Sequence, residues 1–261
     1  MCEARFKGKI ALVTGGAQGL GEAVCRRLAG EGATVIVTDI DEEGAKAAAD
    51  NITTEYGVCT LGMRMDVTDD FAVHTTMEMI ERDFGRLDIL VVNAGILRAY
   101  GIEEFPVSEW RQVVDVNLMG YMICAKHACQ IMMKRKSGNI IQINSMWGKR
   151  GSARNSAYSA SKFGGIGLTQ SLALEMAQYN VRVNAVCPCI VLDGTREMVE
   201  HYAKTHGLTD EQMKQRYVDQ VPLGRGCTYD DVTSVVAFLA SDEAAYMTGQ
   251  AIDVTGGQVM G

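Results

Sequence analysis

Five short apolar runs rich in β-branched residues recur along the chain: KIALVTG, TVIVTDI, LDILVVNAG, GNIIQINS and VRVNAVCP. Longer amphipathic stretches, such as GEAVCRRLAGEG and FAVHTTMEMIERDFG, separate them. Strand-length apolar runs alternating with helical patterns build βαβ units and a mainly parallel sheet, buried on both faces. The runs follow one another too closely for a second domain with its own linker, and no low-complexity tract or internal repeat interrupts them. Residues 1–261 therefore read as one domain. The rhythm breaks once, in TREMVEHYAKTHGLTDEQMKQRYVDQ, between a strand that should end near Pro188 and the PLGRG segment. We read residues 195–220 as one or two helices, forming either a lid over a site or a surface insertion.

With 47% apolar residues and only three prolines in 261, the chain can bury a substantial core. Its formal charge of −7 argues against nucleic acid, because phosphate backbones call for clustered Lys and Arg. The N-terminal MCEARFKGKIALVTGG carries no long apolar stretch with a cleavage site, and no window approaches the roughly 20 apolar residues of a membrane span. The expectation is a soluble cytoplasmic protein without a membrane partner. Its eight cysteines (2, 25, 59, 124, 129, 187, 189 and 227) contain no C-x-x-C pair. Cys187-Pro-Cys189 has no His or Cys nearby to complete a zinc site, and the four histidines are scattered. Reduced, mostly buried thiols and no metal are expected.

The first strand runs into Thr14-Gly15-Gly16-Ala17-Gln18-Gly19-Leu20-Gly21, and a helix follows. Glycines allow a tight turn and let backbone amides approach a pyrophosphate, whose charge is favoured at a helix N-terminus. The second strand ends in Asp39, placed to accept hydrogen bonds from the adenosine ribose hydroxyls. Ile40, Asp41, Glu42 and Glu43 follow, with no Arg or Lys to meet a 2′-phosphate, so NAD is favoured over NADP. Asp41 to Glu43 also suit the acidic first turn of a helix. Farther on, GSARNSAYSASK sets Tyr158 and Lys162 four apart, hence on one helix face with Cβ atoms about 5–6 Å apart.

Taken in order, Gly15-x-x-x-Gly19-x-Gly21, Asn93-Ala94-Gly95, Asn117, Ser145 and Tyr158-x-x-x-Lys162 resemble the short-chain dehydrogenase/reductase family, and the resemblance runs to VTGGQ near the C-terminus. It implies an α/β, single-domain Rossmann-type three-layer sandwich with a seven-stranded parallel sheet, and an oxidoreductase using NAD. It places Gly15, Gln18, Gly19, Leu20 and Gly21 at the pyrophosphate, Asp39 at the ribose and Asp66 with Val67 at the adenine. Asn93, Ala94 and Gly95 would flank the cofactor, with Tyr158, Lys162 and Pro188 toward its nicotinamide. The chain departs from the family where Cys189 replaces the usual Gly after Pro188, and where Asp193 stands in place of a frequent Thr.

By the same resemblance Tyr158 is the general base, Lys162 its electrostatic helper, and Ser145 the hydroxyl that steadies the substrate oxygen. Asn117, in a helix, would hold a water relaying protons to Lys162. A positive charge about 4 Å away is worth about 4 kcal/mol at an effective dielectric of 20, about three pKa units for the Tyr158 hydroxyl before any desolvation.

The stretches INSMWGKRGSARNSAYSASKFGG and VTGGQVM are similar to polyol dehydrogenases of that family, implying a polyol substrate, with a phosphorylated hexitol as one candidate and a neutral polyol as another. Ser145, Lys149, Arg154, Asn155 and Tyr158 would then line the substrate. For a phosphate the order is Arg154, Lys149, Arg150, with Lys204 or Arg216 from the lid side, unless these cations are ordinary solvated loop residues. Rival readings are a 3-oxoacyl-carrier reductase and a catalytically silent NAD-binding regulator. Gly164, Gly165 and Gly167, each costing about 1 kcal/mol against Ala inside a helix, call for close approach by another helix or by the protein's own sheet. The resemblance adds a homotetramer interface there.

Overall fold

The computed structural model describes residues 4–193, 199, 203 and 207–260. Seven strands form one parallel sheet in the order β3-β2-β1-β4-β5-β6-β7: β1 (Ile10–Thr14), β2 (Thr34–Asp39), β3 (Thr60–Arg64), β4 (Ile89–Val92), β5 (Gly138–Ile143), β6 (Val181–Pro188) and β7 (Ala251–Val254). Helices cover both faces: α1 (Gly19–Gly30), α2 (Glu42–Tyr56), α3 (Asp70–Phe84), α4 (Val107–Val114), α5 (Gly120–Arg135), α6 (Ser156–Met176), α7 (Asp210–Val218) and α8 (Tyr229–Ala240). The order reverses between β1 and β4, the switch point at which doubly wound sheets open a crevice beyond their carboxyl ends. The seven-stranded parallel expectation holds.

The continuous apolar character of the strands follows from this double cover. In β1, Ala11 and Val13 pack with α1, α2 and α8, including Val24, Leu28, Ile52, Val232 and Val236. Ile10 and Leu12 face the other way, toward Val73, Met77, Tyr121 and Ala173 of α3, α5 and α6. A side-chain period of two therefore divides one apolar run between two cores. The edge strand β3, with exposed Thr60 neighbours and a glycine, lacks that run. Only Gly can stand at position 62, because a Cβ there would lie 2.3 Å from the Ala45 carbonyl oxygen.

The expected lid at 195–220 falls partly outside the described residues, as does Lys204. Its described part contains α7, begun by a reciprocal capping box between Thr209 and Gln212. Met213 packs with Val199 and Ala203 in a small cluster of its own, separate from the two main cores. Among the described residues, no helix is long and apolar enough to cross a membrane.

The three glycines of α6 have different surroundings. A Cβ on Gly165 would lie 2.3 Å from Gln142 Nε2 on β5, and one on Gly164 would lie 2.8 Å from Leu118 Cδ2. Nothing lies within 4 Å of a Cβ on Gly167. The protein's own sheet thus accounts for Gly165, while Gly167 faces outward. We expect Gly165→Ala to lower stability by about 1–3 kcal/mol in denaturant unfolding, as overpacking does. Gly167→Ala should leave it unchanged or raise it by up to about 1 kcal/mol; equal effects at both positions would contradict this assignment.

Candidate active site

The crevice begins at the turn between β1 and α1. Gly15 and Gly19 adopt φ of 63° and 62°, in the left-handed region open to glycine. Gly21 is required for space: a Cβ would fall 1.9 Å from the Gly15 carbonyl oxygen. Asn93 fixes this turn from β4, its Nδ2 donating to the carbonyls of Thr14 (3.1 Å) and Gly15 (2.8 Å). Thr14 returns the link, its Oγ1 accepting from the N–H groups of Asn93 (3.1 Å) and Ala94 (3.0 Å). Thr14 is a positioning residue that the motif reading passed over, although it is the β-branched residue just before the glycines.

A cleft of about 980 Å³ opens here, lined by Gly15, Gln18, Leu20, Gly21, Asp39, Asp66, Val67, Asn93, Ala94 and Gly95. Ten residues expected to touch one dinucleotide are therefore gathered around one volume. Gly19 lies in the turn between them, and Pro188 stands apart at the end of β6, paired with Val254. The Asp39 carboxylate accepts from the N–H of Ala17 (3.1 Å) and of Asp41 (3.1 Å), which holds it at the rim. Asp66 accepts from the N–H (2.9 Å) and hydroxyl (2.7 Å) of Thr68.

Whether these residues suit a dinucleotide is tested by the start of α1. Side chains of Asp41, Asp69, Thr209 and Thr228 cap α2, α3, α7 and α8, whereas α1, like α4 and α6, begins without a side-chain cap. Its first-turn amides point at the cleft without a side-chain acceptor, as an anion site requires. The fit is good: Gly15, Gly19 and Gly21 clear the approach, α1 supplies donors and Asp39 supplies an acceptor for hydroxyls.

Beyond Gly95 lie Asn117, Ser145, Tyr158 and Lys162, the residues expected to be catalytic. α4 and α5 are joined through a π-helical turn at Asp115–Met119, and Asn117 sits inside it. Asn117 accepts from Ile96 N–H (2.8 Å) and donates to Ile96 carbonyl (2.9 Å) and to Ser161 Oγ (3.1 Å). Both amide hydrogens are thus used in clamping the loop after Gly95 to α6. A water leading to Lys162 would meet an Asn117 oxygen, of the side chain or the main chain, rather than its amide hydrogens. Such π turns are frequent at functional sites.

Ser145 follows β5 and is buried, with its hydroxyl accepting from Trp147 N–H at 3.2 Å. Asn144, which sequence reading missed, sets its direction: Oδ1 accepts from Ser145 N–H (2.8 Å), while Nδ2 donates to Lys162 carbonyl (3.0 Å). Tyr158 and Lys162 share one face near the start of α6. The Lys162 ammonium lies 5.4 Å from the centroid of the Tyr158 ring and donates to the Ile143 carbonyl at 2.8 Å. Trp147 meets the same ring edge-on, centroids 6.3 Å apart.

Charge behaves differently here from the simple pairwise expectation. Burial pushes the Tyr158 hydroxyl up to about 12, with Ser145 pulling it back in part. Burial also drives Lys162 down to about 8. Desolvation therefore outweighs the lysine's field on Tyr158 in the protein alone, because Lys162 directs its ammonium to a backbone carbonyl in the interior.

The expected substrate cations are dispersed. Lys149 forms an ion pair with Asp253 of β7 at 2.7 Å, away from Tyr158. The physical reason is that the 3₁₀ turn after Ser145 aims residue 149 at the far edge of the sheet. Arg154 is exposed, at φ 64°, with its carbonyl accepting from Tyr100 N–H (2.9 Å). Arg150 is exposed, its guanidinium beside Met146 Sδ (3.8 Å). Asn155 is buried and donates to Ser152 Oγ (2.9 Å). Arg216 is exposed on α7. The cleft itself holds two cations that sequence reading did not select, Arg98 and Arg111. Arg98 stands three residues beyond Gly95 and pairs with Glu109 (3.5 Å).

A match to the family model for short chain dehydrogenases spans residues 9–204. The chain belongs to the short-chain dehydrogenase family. Members of this family are oxidoreductases acting between alcohols and their carbonyl counterparts, which agrees with the Ser145, Tyr158 and Lys162 cluster. Sorbitol-6-phosphate 2-dehydrogenase of Escherichia coli (strain K12) is 43% identical over 256 residues, covering 97% of this chain and 99% of that protein. A 3-oxoacyl-acyl-carrier-protein reductase of Aquifex aeolicus (strain VF5) is 37% identical over 255 residues, covering 98% and 99%. Among solved short-chain dehydrogenase structures, sorbitol-6-phosphate 2-dehydrogenase of Erwinia amylovora superposes with a TM-score of 0.93 at 44% identity, covering 96% of this chain and all of that one. An NAD-bound xylitol dehydrogenase gives 0.92 at 32%, covering 97% and 99%.

The linkage between Lys162 and pH has a definite sign. Its folded pKa of about 8 lies below the ordinary 10.5, so between those values the unfolded chain binds more protons and stability rises with pH. Wild type should therefore gain stability relative to Lys162→Met as pH climbs from about 8 toward 10.5. Denaturant unfolding across that range checks it; a constant difference would mean that Lys162 titrates normally.

Proposed function

We propose that the protein is an NAD-dependent dehydrogenase that interconverts a secondary alcohol of a polyol and the corresponding ketose, with sorbitol 6-phosphate as the first substrate to test. The observation that carries the reading is the convergence of Tyr158, Lys162 and Ser145, with Tyr158 packed beside Ile96, whose loop lines a cleft rimmed by Asp39. NAD, when bound, would supply the hydride acceptor. Ser145 Oγ holds the substrate oxygen, and Tyr158 Oη removes its proton as general base. Lys162 favours the phenolate by its charge, and α6 keeps both side chains at fixed separation. Asp39 accepts ribose hydroxyls and repels a 2′-phosphate. Identity of 43% over nearly the whole chain to an enzyme named for sorbitol 6-phosphate supports that substrate.

A neutral polyol and a 3-oxoacyl thioester are the competing substrates. Lys149 is engaged by Asp253, so Arg154 leads as the phosphate contact, with Arg98 added by the cleft lining. The segment 195–220 is proposed to cover the substrate. Exposed Phe163 and Leu174 on α6, beside Gly167, support a homotetramer built through that helix. A cytoplasmic location accords with seven described cysteines that are all free thiols.

A spectrophotometric screen of sugar alcohols, their phosphates and a 3-oxoacyl thioester, each with NAD(H) and NADP(H), tests the whole reading. We expect sorbitol 6-phosphate with NAD to lead; turnover confined to the thioester with NADPH would overturn it. Tyr158→Phe should keep NAD affinity and lose nearly all turnover. In Lys162→Met the alkaline rise of alcohol oxidation should move to higher pH, since removing a cation raises the Tyr158 pKa. Arg154→Ala should raise KM for the phosphorylated polyol more than it lowers kcat, the pattern of lost ground-state binding. Calorimetry should show NAD bound more tightly than NADP, with Asp39→Ala narrowing the difference.

A further inference from the structure

Two cysteines from distant segments converge where β6 ends. Cys189 follows Pro188, and its N–H donates to the Val254 carbonyl at 3.2 Å. Cys227 immediately precedes Thr228, the N-cap of α8. It pairs with Val191 in an isolated parallel bridge, and its carbonyl accepts from Leu192 N–H at 3.0 Å. Its Sγ lies 4.0 Å from the same Val254 carbonyl that holds Cys189. The Cys189 thiol donates to the Ile190 carbonyl at 3.9 Å and the Cys227 thiol to the Thr228 carbonyl at 3.6 Å.

Both residues line one cavity of about 190 Å³, roomy enough for a small oxidant, and exposed Leu223 and Arg225 border it. Cys25 and Cys124 are sealed in the two cores, and Cys59 is exposed. Among the described cysteines, 189 and 227 are the two that line this cavity.

We propose that Cys189 and Cys227 form a reversible disulfide in response to a peroxide, and that this disulfide lowers cofactor affinity and turnover by displacing the segment after β6. The Cys189 thiol, whose pKa the neighbouring Cys227 lowers, is the attacking sulfur, and Cys227, whose pKa that neighbour and burial raise, keeps its proton. The Cys189 thiolate attacks one oxygen of hydrogen peroxide: an S–O bond forms, the O–O bond breaks, and hydroxide leaves to combine with the proton Cys189 gave up. The Cys227 sulfur then attacks the sulfenic sulfur. An S–S bond forms, the S–O bond breaks, and hydroxide departs with the Cys227 proton as a second water. Two thiols lose two electrons and one peroxide becomes two waters; a dithiol reductant reverses the change.

Bonding draws the sulfurs to about 2.05 Å, and the contraction falls on the Cys189 side. Cys227 is anchored by the capping box of Thr228 and Asp231, which Arg225 engages in a salt bridge (2.6 Å). The turn after Leu192 is fixed as well, since Asp193 accepts from Tyr229 N–H at 2.7 Å. The shift is taken up by Cys189 and Ile190, at the expense of the Cys189 N–H bond to the Val254 carbonyl. Cys189 packs in one cluster with Met146 and Trp147, and Trp147 touches the Tyr158 ring. The displacement thereby reaches the proposed general base. The effect on turnover rests on the dehydrogenase reading; the cross-link does not.

The test treats the purified protein with hydrogen peroxide, stops the reaction with catalase, alkylates remaining thiols and maps peptides without reduction. We expect the peptide bearing Cys189 joined to the peptide bearing Cys227, with fragment spectra placing the link at Cys189 rather than Cys187, and release by dithiothreitol. NADH affinity, read by fluorescence titration, should weaken several-fold on oxidation, and turnover of sorbitol 6-phosphate with NAD should fall; dithiothreitol should restore both. Cys227→Ser should abolish the link and the peroxide response, with Cys227→Ala as a second variant should serine disturb the fold. The proposal is overturned by no joined peptide at doses that oxidise Cys59, by a link at Cys187, or by a link that leaves NADH affinity unchanged. It is equally overturned if peroxide inactivates Cys227→Ser as it does wild type. Absence of turnover on any polyol, with NADH affinity still responding to the link, would count against the substrate reading alone.

Discussion

The ammonium of Lys162 is buried, and its hydrogen bond to the Ile143 carbonyl is the contact around which the site is built. A lysine without water is costly unless its charge is met, and here a carbonyl at the end of a central strand meets it. For the reach to be right, α6 must press against β5. Gly165 permits this, since a Cβ would strike Gln142, and so does Gly148, where a Cβ would lie 2.2 Å from Asn144 Oδ1. Asn144 closes the contact by donating to the Lys162 carbonyl. Small residues and one amide thus hold a cation beside an aromatic hydroxyl, and Tyr158 takes its position from the same helix turn.

The energetic consequence is a pair poised against its own charging. Burial disfavours the phenolate of Tyr158 and the ammonium of Lys162 together, raising one pKa and lowering the other. The working state of a general base is the phenolate, so further positive charge near the ring is needed to reach it at neutral pH. An oxidised nicotinamide carries such a charge, and the adjoining cleft is shaped for the rest of the molecule. In the proposed role, a bound hydride acceptor carrying such a charge would favour the Tyr158 phenolate and so couple proton removal to its own presence. Coupling of that kind suits a dehydrogenase better than a silent binding protein, which would gain nothing from a buried lysine at this position.

Much of this was legible from residue spacing. The parallel sheet followed from apolar runs that each serve two cores, and the Tyr158–Lys162 neighbourhood from helical period alone. The glycine turn and Asp39 were readable because their chemistry is local to one βα unit. What escaped the sequence was set by contacts distant along the chain. Lys149 is near Ser145 in sequence, which points to a substrate contact, but its partner, Asp253, is contributed by β7. Asn117 was read correctly as helical, yet the π turn that spends its amide on Ile96 and Ser161 has no signature in the sequence. Arg98 was overlooked because nothing in GILRAY shows that the loop folds into the cleft. Much of the 195–220 segment lies outside the described residues.

Helix caps show how a ligand site is written into a fold by omission. Asp41, Asp69, Thr209 and Thr228 satisfy the first turns of their helices, while α1, α4 and α6 begin without a side-chain cap. At α1 the corresponding residue is Gln18, in an extended conformation with no side-chain bond to the helix. Asp39, the nearest carboxylate, is held off those amides, because it accepts from Ala17 and Asp41 at the rim. A protein optimised for stability alone would place Ser or Asp at position 18 and gain about 1 kcal/mol. Leaving the donors to a ligand instead makes part of the fold's stability conditional on binding. Dinucleotide affinity and resistance to unfolding therefore draw on the same few backbone amides.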